Sequence, residues 1–193
     1  EGRGVVVRAL VPSAASIQAV PTHEKDQPAI TLRRLHEAGL FEGATRKANR
    51  VYAYDLVITD AAGQVRQGRD PYSFLPTIGE IDLFLFGQGN ERRIYEKLGA
   101  HLRTLDGVPG VSFAVWAPHA QRVSVVGDFN GWDGRYHPMR LVGASGVWEL
   151  FIPGLGEGAR YKFEVRNPCG QIALKTDPYG MFFETAPKNA AIV

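Results

Sequence analysis

A chain of 193 residues has room for two domains of about 100 residues each, and with 45% hydrophobic and 22% charged residues it has the composition of a folded chain, not a disordered one. A formal net charge of +2 with both signs interspersed excludes the dense basic stripe of a nucleic-acid or anionic-lipid surface. Cys169 is the one cysteine, which excludes a disulfide framework and Cys-based zinc sites, and no apolar run reaches the roughly 20 residues of a membrane helix, so a cytoplasmic protein with no membrane contact is expected.

In chain order, Gly4 to Pro12 (GVVVRALVP) is predicted as a strand closing in a turn, followed by a second strand through Ile17 and Val20. Thr31 to Ala38 (TLRRLHEA) has helical spacing when taken alone. Further on, Phe41-Glu42 marks another strand, and Tyr54, Leu56 and Ile58 alternate with the period of two that buries one sheet face. Gly63-Gln64 and Asp70-Pro71-Tyr72 are turns. Ile78 to Phe86 is compact and apolar, and Arg92 to Leu98 sets Ile94, Tyr95 and Leu98 on one helical face, which predicts a helical linker whose apolar residues lie against both neighbours.

The same series then returns at an offset of about 107 residues. GVSFAVWAP begins at Gly110, Val123 and Val126 follow, and GVWEL begins at Gly146 with Trp148 over Phe41 and Glu149 over Glu42. Tyr161, Phe163 and Val165 fall over Tyr54, Leu56 and Ile58; Gly170-Gln171 and Asp177-Pro178-Tyr179 complete the match. The partner of TLRRLHEA is HPMRLVGAS, which is β-like, so both segments are predicted as strand and turn. The expectation is an all-β chain of two tandem immunoglobulin-like β-sandwiches, residues 1–76 and 109–193, joined by a short helical linker at 77–108.

Catalytic chemistry is sparse. The five histidines have no metal-ligand spacing, no GxSxG elbow occurs, Cys169 has no placed base, and no two carboxylates stand out as a converging pair, so no catalytic residue, no metal and no cofactor is assigned. Binding chemistry is better represented. In Gly127 to Gly134 (GDFNGWDG), Asn130-Gly131 predicts a tight hairpin turn that lifts Trp132 toward solvent. An indole so held is a platform for a sugar ring, with Asn130 and Lys162 bonding its hydroxyls; the bland alternative folds Trp132 back as a plug under the hairpin. Trp116 and Trp148, in alternating strand patterns, are expected in the core.

YEKLGAH at Tyr95, GVSFAVWAP at Gly110, VSVVGDFNGWDGRYHPM at Val123, GVWELFIPG at Gly146, YKFEV at Tyr161 and KTDPYG at Lys175 closely resemble the glycogen-binding modules that precede the catalytic barrel in α-amylase-type enzymes. With ITLRRLHEAGLFEG and DPYSF in the first half, the whole chain is similar to the front of bacterial 1,4-α-glucan branching enzymes. That resemblance implies an amino-terminal, noncatalytic fragment of a glycosyltransferase of glycogen biosynthesis. The missing (β/α)₈ barrel is one partner and α-1,4-glucan (glycogen, maltooligosaccharides) the other. It implies glucan contacts from the tryptophan of NGW and the lysine of YKF, here Trp132 and Lys162. Where related binders place a second stacking tryptophan after the Gly-Gln turn, this chain has Ile172, so the same surface is alternatively a docking face for the barrel. Other readings are the front of a debranching enzyme or trehalohydrolase, or a stand-alone glycogen-targeting scaffold; the reading frame after Val193 discriminates them.

Overall fold

The computed structural model describes residues 4–24 and 26–193; the first three residues of the expected 1–76 module lie outside the described residues. The chain divides into two compact units, Glu1–Ser73 and Phe74–Val193. The first holds strands β1 (Val5–Leu10), β2 (Ala14–Pro21), β3 (Ile30–His36), β4 (Leu40–Thr45), β5 (Tyr54–Asp60) and β6 (Val65–Arg69). The second holds helix α1 (Glu80–Gly87) and strands β7 (Gly99–Leu105), β8 (Val108–Trp116), β9 (Arg122–Gly127), β10 (Arg140–Leu141), β11 (Val147–Pro153), β12 (Arg160–Arg166), β13 (Ile172–Lys175), β14 (Phe182–Phe183) and β15 (Ala191–Ile192).

Strand pairing repeats with the sequence. Ala9 on β1 faces Phe41 on β4, and Val115 on β8 faces Trp148 on β11. Ala19 pairs with Leu56 across β2 and β5, and Val125 with Phe163 across β9 and β12. Gly68 of β6 lies opposite Leu56, and Lys175 of β13 opposite Phe163. Segment 31–38 is strand as far as His36 and turn beyond it, as its repeat partner requires. β3 changes partners along its length: Ile30 to Leu32 pair with β2, whereas Arg33 onward pairs with β4. In the second unit Pro138 bridges Ser124 of β9 and Arg140 pairs with Glu149 of β11, so the equivalent segment also crosses from one sheet to the other. Close packing accompanies this crossing. A Cβ on Gly39 would stand 2.5 Å from Pro12 Cα and one on Gly146 2.7 Å from Pro118 Cα, so both turns need a residue without a side chain.

The core of the second unit lies between the sheet β10-β11-β8-β7 and the sheet containing β9, β12, β13, β14 and β15. Val111, Phe113, Trp148, Leu150 and Ile152 meet Val123, Val125, Tyr161 and Phe163 there. β11 is buried on both faces, and β8 nearly so, in keeping with sequences that are apolar apart from Glu149 and Ser112. Their other face is covered by the segment that follows Ser73. Phe74 packs edge-on against Phe151 at 4.7 Å, and Ile78 and Leu98 are buried against Ala114 and Val147, with Leu83 and Phe86 of α1 beside them.

The linker and Trp116 depart from the sequence expectation. The segment 77–108 is not helical throughout: α1 spans Glu80–Gly87, Ile94–Glu96 is one 3₁₀ turn, and Gly99–Leu105 is β7, paired along β8. Asp106-Gly107, both at positive φ (49° and 76°), form the tight Asp-Gly connection that favours a hairpin over a continuing helix. Trp116 is not in the core. It shares the strand face of Ser112 and Ala114, at the end of β8, and is 53% exposed. Its indole meets Phe86 edge-on at 5.8 Å and lines an open groove of about 590 Å³ with Leu83, Pro178 and Tyr179. Trp148 is buried as expected and donates its indole N–H to Ala117 O at 3.0 Å.

Candidate carbohydrate-binding site

β9 ends at Gly127, and the chain then makes a 3₁₀ turn, Asp128–Asn130, capped by Gly131 in the left-handed conformation. It returns at His137 to Met139 along the free edge of β9, where Val125 N donates to His137 O at 3.0 Å and Met139 N to Val123 O at 2.8 Å. The expected tight Asn-Gly hairpin is therefore corrected to a longer loop. Its two consecutive positive φ angles fall on Gly131 and Trp132 (64° and 62°), because Asn130 is taken up by the 3₁₀ turn.

The loop lies across the outer face of the sheet. Alternation along β12 turns Tyr161 and Phe163 into the core and Arg160, Lys162 and Glu164 outward. At one end Arg160 Nε donates to Asp128 Oδ2 at 2.7 Å; at the other, Gly134 packs so tightly on Glu164 that a Cβ would stand 2.2 Å from Oε1. Between these anchors lie Trp132 on the loop and Lys162 on the strand, which brings the two expected glucan residues to one face. Trp132 is half-buried. Its backbone N–H donates to Gly127 O at 2.9 Å and its indole N–H to Asp128 Oδ1 at 3.0 Å. Lys162 Nζ donates to Asn189 Oδ1 at 2.5 Å, and Asn189 is itself held through its carbonyl by Thr176 Oγ1 at 2.8 Å.

Asn130 has a different role from the expected one. Its Oδ1 accepts Gly127 N at 3.0 Å, and Nδ2 donates to Val125 O and to His137 Nδ1, each at 2.9 Å. Both amide hydrogens are spent on the loop itself, so Asn130 shapes the site and has none left for a ligand hydroxyl.

Charges around the site are paired. The hydrogen bond from Arg160, with a second from the Trp132 indole, holds the Asp128 carboxyl below its ordinary range, and Asp128 in turn raises Arg160. Asp133 is likewise lowered by its hydrogen bond from Arg135. Arg160 reaches Glu184 with Nη1 at 3.3 Å, and Arg122 closes on Glu164 at 2.5 Å. Asp128, Arg160, Glu184 and Asn189 were not legible as site residues; the available signal was that Arg160 stands two residues before Lys162 and shares its face. An indole and an ammonium on one sheet face suit a sugar ring, which offers C–H bonds on one face and hydroxyls on its rim. Among the described residues no group of three His, Cys, Asp or Glu is placed to hold a metal, and no helix is long and apolar enough to cross a membrane.

Residues 97–180 match carbohydrate-binding module 48 (isoamylase N-terminal domain), and residues 1–72 match the N-terminal domain of the α-1,4-glucan branching enzyme GlgB. The chain is 47% identical over its full length to the 1,4-α-glucan branching enzyme GlgB of Myxococcus xanthus, and 48% identical over 97% of its length to that of Rubrobacter xylanophilus. It spans about a quarter of these relatives, 26% and 25% respectively. The ligand-free structure of PulA from Klebsiella pneumoniae aligns with 96% of this chain and 20% of its own, at 18% identity and a TM-score of 0.43, too low a likeness to carry an argument. The chain thus carries, in order, a segment that matches the GlgB N-terminal domain and one that matches carbohydrate-binding module 48, and along its whole length it is similar to part of the 1,4-α-glucan branching enzymes.

Proposed function

We propose that the second module binds α-1,4-glucan through the outer face of β9 and β12, with Trp132 as the stacking platform and Lys162 as hydrogen-bond donor. The observation that carries this reading is the loop 128–136, anchored on Arg160 and Glu164, which sets the Trp132 indole on the same sheet face as Lys162. Asn130 shapes that loop. Lys162 keeps two further N–H donors beyond the one given to Asn189, enough for neighbouring hydroxyls of one ring.

The chain serves as the noncatalytic front of a longer protein that cleaves α-1,4 links and transfers the released chains to 6-hydroxyls. In it, the glucan face holds the polymer while the remainder of the protein, a catalytic barrel against which these modules pack, carries out the transfer. The relatives' names and the coverage of about a quarter of their length support this division of labour. An exposed, unpaired Cys169 suits a reducing compartment, and we place the protein in the cytoplasm.

Affinity electrophoresis in glycogen tests the site. The unmodified chain is weakly retarded, with an affinity in roughly the millimolar range, because one platform must offset the ordering of a flexible polymer. Trp132→Ala abolishes the retardation and Lys162→Ala reduces it, with unchanged thermal melts. Retardation that survives Trp132→Ala refutes this site.

A further inference from the structure

Trp132 is held in a way that a simple exposed aromatic is not. Its φ of 62° lies in the left-handed region, where a bulky side chain is strained, and strain of this kind persists only where surrounding contacts fix it. Here the fixing contacts come from Asp128, which uses both carboxylate oxygens: Oδ1 takes the indole N–H and Oδ2 takes Arg160 Nε. Arg160 continues to Glu184, and the backbone of Glu184 pairs with Ala190 O at 2.9 Å while its Oε2 accepts Ala190 N at 3.3 Å. Asn189, next to Ala190, holds Lys162. One chain of contacts thus runs from the indole, through Asp128 and Arg160, to the loop that holds the ammonium.

We propose that Asp128 and Arg160 are a positioning pair that fixes the indole plane of Trp132 and its placement relative to Lys162, and so sets the affinity for α-glucan; this rests on the glucan-binding reading above. Neither residue touches the ligand. Because the indole N–H is occupied by Asp128, Trp132 offers a ligand its ring faces and no donor. The hydroxyls are left to Lys162, a division that suits a ring with an apolar face and hydroxyls on its rim. The pair is solvent-exposed on both sides, so it contributes little to folding, and its effect falls on binding.

The test uses the 193-residue chain, ¹⁵N-labelled, with Asp128→Ala, Asp128→Asn, Arg160→Gln and the double variant Asp128→Ala/Arg160→Gln, and with Trp132→Phe to assign the indole N–H resonance. Asp128→Ala shifts that resonance, weakens retardation in glycogen about tenfold, and leaves the melt unchanged. Asp128→Asn keeps an acceptor for the indole and recovers part of both. Arg160→Gln also moves the Trp132 resonance, and the double variant is no weaker than Asp128→Ala, as residues acting as one unit require. An unmoved resonance in Asp128→Ala overturns the positioning role, as does Arg160→Gln weakening retardation without moving it, which makes Arg160 a direct contact. The glucan-binding reading fails separately, by retardation that survives Trp132→Ala. In that case a resonance that still moves in Asp128→Ala shows a pair that orders the indole without serving glucan.

Discussion

The Tyr161 hydroxyl donates to Asp177 Oδ2 at 2.6 Å, and the same bond recurs in the first unit, where Tyr54 donates to Asp70 Oδ2 at 2.7 Å. In each unit the other carboxylate oxygen accepts the backbone N–H two residues on, from Tyr179 at 2.8 Å and from Tyr72 at 2.9 Å. The repeated Asp-Pro-Tyr is therefore a buried side-chain turn that pins the end of each sandwich to its central strand.

Burial is the largest cause raising the Asp177 pKa above 3.8, and burial with the adjacent Asp177 charge raises Tyr161 above 10.0. Folded Asp177 holds its proton more tightly than unfolded Asp177. Its contribution is thus fully present below pH 3.8 and declines as pH rises through its folded pKa. Tyr161 behaves likewise at the alkaline end: above pH 10 the unfolded chain loses the phenolic proton first, and stability falls. Tyr161→Phe is expected to cost about 1–3 kcal/mol at pH 7, since Asp177 loses a donor in a buried site. It should also flatten the fall in melting temperature between pH 10 and 11, and an alkaline slope unchanged in Tyr161→Phe contradicts this assignment.

Glu149 and its repeat partner Glu42 predict opposite outcomes for one substitution. Glu149 is 2% exposed and accepts Thr77 N and Thr77 Oγ1, each at 2.6 Å, and Ile78 N at 3.3 Å. Glu42 makes a surface pair with Arg8 at 2.8 Å. Glu149→Ala strands those donors and is expected to cost about 2–4 kcal/mol, with faster amide exchange over 77–87; Glu42→Ala should cost less than about 1 kcal/mol. Equal effects in denaturant titrations would contradict the division.

The position and type of most strands were legible because two copies of one pattern corrected each other, as when HPMRLVGAS turned TLRRLHEA from helix to strand. What failed lies where a pattern has two solutions. Alternation puts Val115 and Trp116 on opposite faces but does not say which face is the core when a covering segment buries both, and Trp116 came out on the wrong one. Trp132 and Lys162 stood out as candidates from their local motifs. Asp128, Arg160 and Asn189 were missed because they join the site only through a strand face and a loop that local sequence does not connect.

The two strand tryptophans should differ accordingly. Trp148→Ala removes a buried ring and a hydrogen bond and is expected to cost about 3–5 kcal/mol. Trp116→Ala removes a half-exposed ring resting on Phe86 and should cost about 1 kcal/mol. Denaturant midpoints of the two variants measure the difference, and a Trp116 cost near that of Trp148 would return Trp116 to the core.

Ile172 occupies the place where a second stacking platform can be restored. It stands on β13 opposite Arg166, which shares the outer face of β12 with Lys162 and Glu164, so Ile172 is on the proposed glucan face, one strand across from β12. Arg166 stands four positions along β12 from Lys162, about 13 Å, so an aromatic ring at 172 would meet a ring of the glucan further along the chain than the one stacked on Trp132. Ile172 is 56% exposed, so replacing it disturbs little packing. Ile172→Trp is expected to leave the melting temperature within a few degrees of the parent and to strengthen retardation in glycogen about fivefold, the equivalent of about 1 kcal/mol for one added platform. The gain should disappear when Trp132→Ala is combined with it, since a single remaining platform restores the weak regime. It should also be larger for maltoheptaose than for maltose, because only the longer ligand reaches both rings. A gain that is the same for both sugars would place residue 172 outside the path of the bound glucan.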